Sequence, residues 1–262
     1  MRTAFLQSLT TLMEQDKNIV TITADMGFSV FEEMQQKFPT RFINTGVTEQ
    51  SSASIAAGLA LSGMKVFFYA QAPFITMRCF EQVRLDIAYN NLDVTIVGAS
   101  SGFYSNQLGV SHFALEDIAL MRLLPNMSVF APGDSVEMQG VMKYVYKRKS
   151  PSYIRVTKAG SPVVYAKPVS SVSTAIELFS GDEATVFVTG SLLPVAKKVA
   201  ENLQKKNITI SLFSVPQIKP LDEKTILREA KKMKKIITIE DHYITGGLGS
   251  AVSEVIAASN AQ

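Results

Sequence analysis

The chain has a single cysteine, Cys79, which rules out an internal disulfide and fits a reducing, cytoplasmic setting. Its neighbourhood, residues 74–89, has a helical pattern, so an inert buried thiol is expected rather than a nucleophile. There are two histidines, His112 and His242, and no Cys/His metal cluster or P-loop. No apolar run reaches the ~20 residues needed to span a bilayer. The opening residues, Met1 to Leu6, begin an amphipathic helix and do not resemble a signal peptide. Net charge is only +3, and no basic patch is interleaved with aromatics, which argues against nucleic acid. The densest basic runs, 143–149 and 231–235, fall at the ends of helical patterns, where cations favour the C-terminal dipole.

What the chain does have is apolar mass and alternation. Of its 262 residues 47% are hydrophobic, enough for one large or two medium domains. β-Branched runs at 19–24, 66–70, 94–98, 127–131 and 153–156 read as buried strands. Helical patterns lie between them, at 31–38, 49–61, 74–90, 115–123 and 135–146. Alternation of this kind predicts parallel sheets covered on both faces. A stretch rich in Gly, Pro and Ser, 158–173, reads as a linker. A smaller unit follows, with strands at 184–189, 208–213 and 236–240 and helices at 193–204 and 249–258. The expected fold is α/β, with two doubly wound domains at 1–157 and 174–262.

Four residues stand out within this frame. Glu49 follows a short strand, 41–44, and a tight glycine turn, and it opens a helix of small residues. A side chain at such a junction points into the crevice at the end of a parallel sheet, where α/β proteins bind ligands. The plainer alternative is a carboxylate that only favours the helix dipole. His112 closes a polar, glycine-bearing loop, 100–112, at the same end of the sheet. An imidazole with an ordinary pKa of ~6.5 can donate or accept a proton at neutral pH; a purely local hydrogen bond is the alternative. Asp25 ends a buried strand and should meet a donor, as a site residue or as a helix N-cap. Phe74 ends an aromatic-rich run, and a flat apolar ring suits a heteroaromatic ligand. His242 is expected to be structural or to sit between the domains.

The run Asn44-Thr45-Gly46-Val47-Thr48-Glu49-Gln50 resembles the Gly-x-x-Glu-Gln motif of the transketolase family. Other stretches match that family in order: Arg2-Thr3-Ala4-Phe5, Ala24-Asp25-Met26-Gly27-Phe28-Ser29, Gly58-Leu59-Ala60, and Gly109-Val110-Ser111-His112 followed by Glu116-Asp117. Arg122-x-x-Pro125-Asn126 and Ala131-Pro132-Gly133-Asp134 do so too. Ile218-Lys219-Pro220-Leu221-Asp222, Glu240-Asp241-His242 and Gly246-Gly247-Leu248-Gly249 resemble the family's C-terminal domain. Each motif is short, but together they cover nearly the whole chain.

The resemblance implies a pyrimidine-binding domain followed by a transketolase C-terminal-like domain, with thiamine diphosphate and Mg²⁺ as cofactors. It implies that Glu49 shares a proton with the aminopyrimidine nitrogen, driving the cofactor into its imino tautomer. It puts His112 at the sugar oxygens of the reacting carbon, Asp25 near the cofactor and Phe74 on the pyrimidine. Arg2, Ser29 and Lys158 match positions that hold a sugar phosphate. Lysine at 158 keeps the charge but loses the bidentate fork of the usual arginine, and a sulfonate is equally compatible. Gln71 falls near the usual stacking phenylalanine, and Met77 near another aromatic. Leu108 replaces an aspartate, and Ser100 falls near a histidine of the family.

The diphosphate and its metal need a Gly-Asp-Gly motif and a later Asn, whose carboxylate and amide oxygens suit Mg²⁺. Gly133-Asp134-Ser135 and Gly181-Asp182-Glu183 both fail at the third position. The expectation is therefore the C-terminal subunit of a split transketolase, whose partner subunit carries the diphosphate-binding domain, in a symmetric assembly of two of each. It would move a two-carbon ketol unit from a ketose to an aldehyde acceptor. The alternatives are a fragment of a longer protein, the beta subunit of a 2-oxoacid dehydrogenase decarboxylating component, or a non-catalytic assembly subunit.

Overall fold

The computed structural model describes residues 1–157, 160–233 and 235–259. In the first half, helix α1 (Arg2–Gln15) leads into strand β1 (Ile19–Thr23), α2 (Glu32–Lys37), β2 (Phe42–Asn44), α3 (Glu49–Leu61) and β3 (Lys65–Gln71). A helical stretch follows, with π-helical turns at Phe74–Arg78 and Val83–Ala88 flanking a short α turn, α4 (Phe80–Gln82). Then come β4 (Val94–Ala99), α5 (Asp117–Leu123), β5 (Ser128–Phe130), α6 (Ser135–Lys147) and β6 (Ser152–Val156). These six strands are all parallel, in the order β5-β6-β4-β3-β1-β2.

Strand periodicity explains why both faces are covered. Phe67 and Tyr69 of β3 point to one face and Val66 and Phe68 to the other, and all four are buried. The first face packs against α1 and α6 through Phe5, Leu9, Met13, Met138 and Val141. The second packs against α3 and the π-helical stretch through Ala53, Ala56, Ala57, Ile75 and Val83. Alanines at i, i+3 and i+4 let α3 lie close to the sheet. Each large side chain buried here contributes roughly 1.5–3 kcal/mol.

The second half comprises β7 (Ile176–Phe179), β8 (Ala184–Val188), α7 (Leu193–Gln204), β9 (Ile210–Ser214), β10 (Gln217–Lys219), α8 (Glu223–Lys232), β11 (Ile236–Ile239) and α9 (Leu248–Ala258). Four of its strands form a second sheet, β11-β8-β9-β7, with β7 antiparallel at one edge. β10 instead crosses back and pairs antiparallel with β5 of the large sheet. The sequence patterns did not indicate β7, β10 or the start of α8. β10 is three residues long, β7 is a half-buried edge, and α8 is mostly charged. No helix among the described residues is long and apolar enough to cross a membrane.

Two buried polar clusters join the halves. Asp134 caps α6, its Oδ1 accepting from the amides of Val136 and Glu137 at 2.9 Å each. Its Oδ2 accepts from the amides of Val164 and Tyr165 at 2.7 and 3.3 Å. Beside it Glu137 accepts hydrogen bonds from the Gly133 amide, the Tyr165 hydroxyl and the Ser214 hydroxyl, each at 2.6 Å. In the second cluster Arg155 grips Asp117 with two bonds, Nε to Oδ2 at 2.8 Å and Nη2 to Oδ1 at 3.0 Å. Tyr153 donates to the same carboxylate at 2.5 Å, and Arg155 Nη2 also donates to the carbonyls of Ala114 and Asp241 at 3.1 and 3.0 Å.

The burial of these ions should be measurable. Asp117→Asn leaves the Arg155 charge buried without its counter-ion and should cost about 3 kcal/mol in urea unfolding. Lys37→Met, at the exposed Lys37–Glu14 pair, should leave the urea midpoint nearly unchanged. Burial raises the Glu137 carboxyl above its ordinary value of 4.5 and outweighs its three hydrogen bonds. The folded state therefore binds this proton more tightly than the unfolded chain. That stability is fully present below pH 4.5 and is lost as pH rises through the folded value. The stability difference between wild type and Glu137→Gln should accordingly move against the wild type as pH rises. Urea melts across pH check this, and a pH-independent difference would refute it.

Candidate functional site

The candidate site lies at the carboxyl end of the large sheet, where β1 and β3 run out. A cleft of about 260 Å³ is lined by Ala24, Asp25, Met26, Val47, Glu49, Gln71, Phe74 and His112. Four residues singled out in the sequence, Asp25, Glu49, Phe74 and His112, thus meet in one cavity from four separate segments.

Local backbone chemistry explains how they converge. After β1 the chain makes a tight turn, with Asp25, Gly27 and Ser29 at φ of 48°, 89° and 58°. Left-handed non-glycine residues of this kind are costly and concentrate at functional sites. Asn44 steadies the turn, its Oδ1 accepting from the amides of Asp25 at 3.0 Å and Gly46 at 3.1 Å. Gly46, at φ 73°, then lets the chain reverse into α3. Glu49 is the first residue of that helix, where the dipole favours a carboxylate, and it is only 4% exposed. Its Oε2 accepts from Arg78 Nη1 at 2.8 Å.

Phe74 opens the π-helical turn. The Arg78 guanidinium lies 4.2 Å from its ring centre, and the His112 ring meets its edge at 5.2 Å. Nδ1 of His112 shares a hydrogen bond with Ser111 Oγ at 2.9 Å. Gln71 closes β3 and spans to the histidine loop, donating to the His112 carbonyl at 3.2 Å and Ser105 Oγ at 3.3 Å. Gln71 therefore braces the loop at the place where the family pattern has a stacking ring. The loop's base is pinned as well. Gly102 and Ala114 exchange backbone hydrogen bonds at 2.9 and 3.0 Å, and the Phe103 amide donates to Asp241 Oδ2 at 3.2 Å. A Cβ on Gly102 would collide with that Asp241 carboxylate.

One expectation needs correction. The Asp25 side chain is exposed, and its carboxylate accepts no hydrogen bond among the described residues. The left-handed turn swings it away from the strand end, and the bonded group is its backbone amide. Nor does it cap α2, which begins at Glu32 after Phe31. Arg2, in α1, and Ser29, whose amide donates to Glu32 Oε1 at 2.5 Å, do not line the cleft. Lys158 lies outside the described residues.

Other expectations agree with the structure. Cys79 is buried, and burial pushes its thiol up to about 12, as befits an inert group. His242 sits between the halves, accepting from the Ala119 amide through Nε2 at 3.3 Å, with Nδ1 2.7 Å from the Tyr243 carbonyl. Sequence reasoning missed Arg78. Its signal was there, a cation four residues after an aromatic in a helical stretch. On the segments that also carry Asp25, Glu49 and His112, the side chains of Phe28, Val47, Leu108 and Val110 are exposed, Val110 to 78%.

Two family models divide the chain: "Transketolase, pyrimidine binding domain" matches residues 1–162, and "Transketolase, C-terminal domain" matches residues 174–262. The chain belongs to the transketolase family. It is similar to an apulose-4-phosphate transketolase subunit of Phocaeicola vulgatus, 34% identical, over 98% of this chain and 83% of that protein. It also resembles the 6-deoxy-6-sulfo-D-fructose transketolase subunit SqwH of Clostridium sp., 31% identical, over 98% of this chain and 80% of that protein. Among solved structures it resembles a split gene transketolase described as an inactive beta4 tetramer. The TM-score is 0.91 at 33% identity, covering 99% of this chain and 85% of that one. The two-domain α/β architecture of the transketolase family is thus the fold observed here.

The brace at Gln71 is open to test. Gln71→Leu removes both donors to the loop and should cost about 1 kcal/mol. Amide exchange across 105–112 should speed up while exchange in β3 and β4 stays slow.

Proposed function

We propose that this chain is the C-terminal subunit of a split, thiamine diphosphate-dependent transketolase. It acts with a partner subunit to transfer a two-carbon ketol unit from a ketose to an aldehyde acceptor. The observation that carries this reading is the meeting of Glu49, Phe74 and His112 in one cleft of a chain that matches both transketolase domains.

The lining fits the aminopyrimidine end of the cofactor. It offers one shielded carboxylate, one aromatic ring and the apolar walls of Met26 and Val47. The Mg²⁺ of the diphosphate calls for several carboxylate and amide oxygens, and we assign these to the partner. When bound, the cofactor supplies a nucleophilic carbon and an electron sink for breaking a bond beside a ketone. Glu49 would hold a proton in common with the pyrimidine ring nitrogen, with Oε1 the oxygen that Arg78 leaves free. Phe74 would pack on the ring, and Asp25 stands at the pocket edge. His112 would bind the substrate oxygens at the reacting carbon and move protons there.

Arg2, Ser29 and Lys158 hold the anionic end of the sugar. The two relatives named above carry a phosphate and a sulfonate sugar in their names, so either tail suits this reading. The exposed Phe28, Val47, Leu108 and Val110, on the segments that carry the cleft residues, support a covering partner. We take the assembly to be two copies of each subunit in the cytoplasm, with residues 1–157 as the pyrimidine-binding unit and 174–262 as the C-terminal unit.

Calorimetry with thiamine diphosphate and Mg²⁺ tests the division of labour. Tight binding should require both this chain and its partner; tight binding by this chain alone contradicts it. In the assembled complex Glu49→Ala should lower ketol transfer by about 100-fold or more. Retained activity would leave a structural subunit.

A further inference from the structure

Arg78 has been given no role of its own, yet it makes the only hydrogen bond to the Glu49 side chain among the described residues. The contact is one-sided, joining Nη1 to Oε2 at 2.8 Å and leaving Oε1 unengaged. The pair is lopsided in exposure: the Arg78 side chain is 44% exposed and Glu49 only 4%, so the arginine keeps much of its hydration while partnering a buried carboxylate. Its placement is nevertheless well defined. The guanidinium lies on the face of Phe74, 4.2 Å from the ring centre, and the His112 ring abuts that same phenyl. Phe74 and Arg78 are the first and last residues of one π-helical turn, a geometry common at functional sites. Carboxylate, guanidinium, phenyl ring and imidazole thus form one unbroken row across the site.

We propose that Arg78 is a positioning residue for Glu49. It fixes Oε2, so that Oε1 is the oxygen presented to the pyrimidine nitrogen, and it sets a permanent positive charge beside the proton those two atoms share. An opposite charge at this distance favours the anionic side of such a pair. Arg78 acts only through Glu49 and does not touch the ligand. This inference rests on the role given to Glu49 above.

The test uses the assembled complex with thiamine diphosphate and Mg²⁺. One readout is deuterium exchange at the thiazolium C2 of the bound cofactor, by quenched-flow NMR. The other is calorimetric affinity for the cofactor. Arg78→Met should slow the exchange about tenfold or more while affinity stays within about threefold of wild type. Arg78→Lys restores the charge without the planar fork and should recover part of the rate. Unchanged exchange in Arg78→Met overturns the proposal. So does a parallel loss of exchange and affinity that lysine fails to rescue, which would mark a merely structural contact. Glu49→Gln is run alongside. If it exchanges at the wild-type rate, the role of Glu49 itself fails and the proposal falls with it. If it abolishes exchange while Arg78→Met has no effect, only the proposal for Arg78 falls.

Discussion

The buried pair of Asp117 and Arg155 is the contact on which the arrangement of the site depends. Removing two ions from water is expensive, and such a pair is tolerable only when nearly every donor and acceptor finds a partner. Here Tyr153 and the carbonyls of Ala114 and Asp241 complete the set. Each of these partners has a geometric consequence. Ala114 is the base of the histidine loop, bridged to Gly102, and Asp241 belongs to the second half and receives the Phe103 amide. One guanidinium therefore sets β6, the start of α5, the loop base and the domain junction in register. His112 reaches the cleft because its loop hangs from this fixed point at one end and from the Gln71 brace at the other.

Much of the scaffold could be read from residue patterns. β1 and β4 are fully buried and β3 is buried as far as Ala70, so they appear as runs dominated by β-branched or aromatic residues, the signature of a parallel strand covered on both faces. The junction after β2 was legible because a short strand, a glycine and a run of small helical residues each have a single reading, which placed Glu49 at the sheet's carboxyl end. What escaped depends on distant contacts. β10 carries too few residues to show a period, and it is a strand only because β5 offers it an edge. The turn at 25–29 is set by Asn44 from the neighbouring strand, so the outward swing of Asp25 has no local signature. Arg78 left a local signal, four residues after Phe74, but its bond to Glu49 did not: that contact joins two separate helical stretches, and the π-helical winding at 74–78 scans as an ordinary helix.

The cleft is already ordered by its own chain. Glu49 meets Arg78, Arg78 lies on Phe74, and the His112 ring abuts that phenyl. A site in this state has met most of its ordering cost before anything binds. Groups arranged in advance favour a rigid-body encounter.

The exposed apolar side chains have a consequence for the free protein. Phe28, Val47, Leu108 and Val110 stand in water on the segments that also carry Asp25, Glu49 and His112. Apolar side chains left in water are sticky. A pool of this chain by itself is therefore primed to cling to itself, and more so as it grows concentrated.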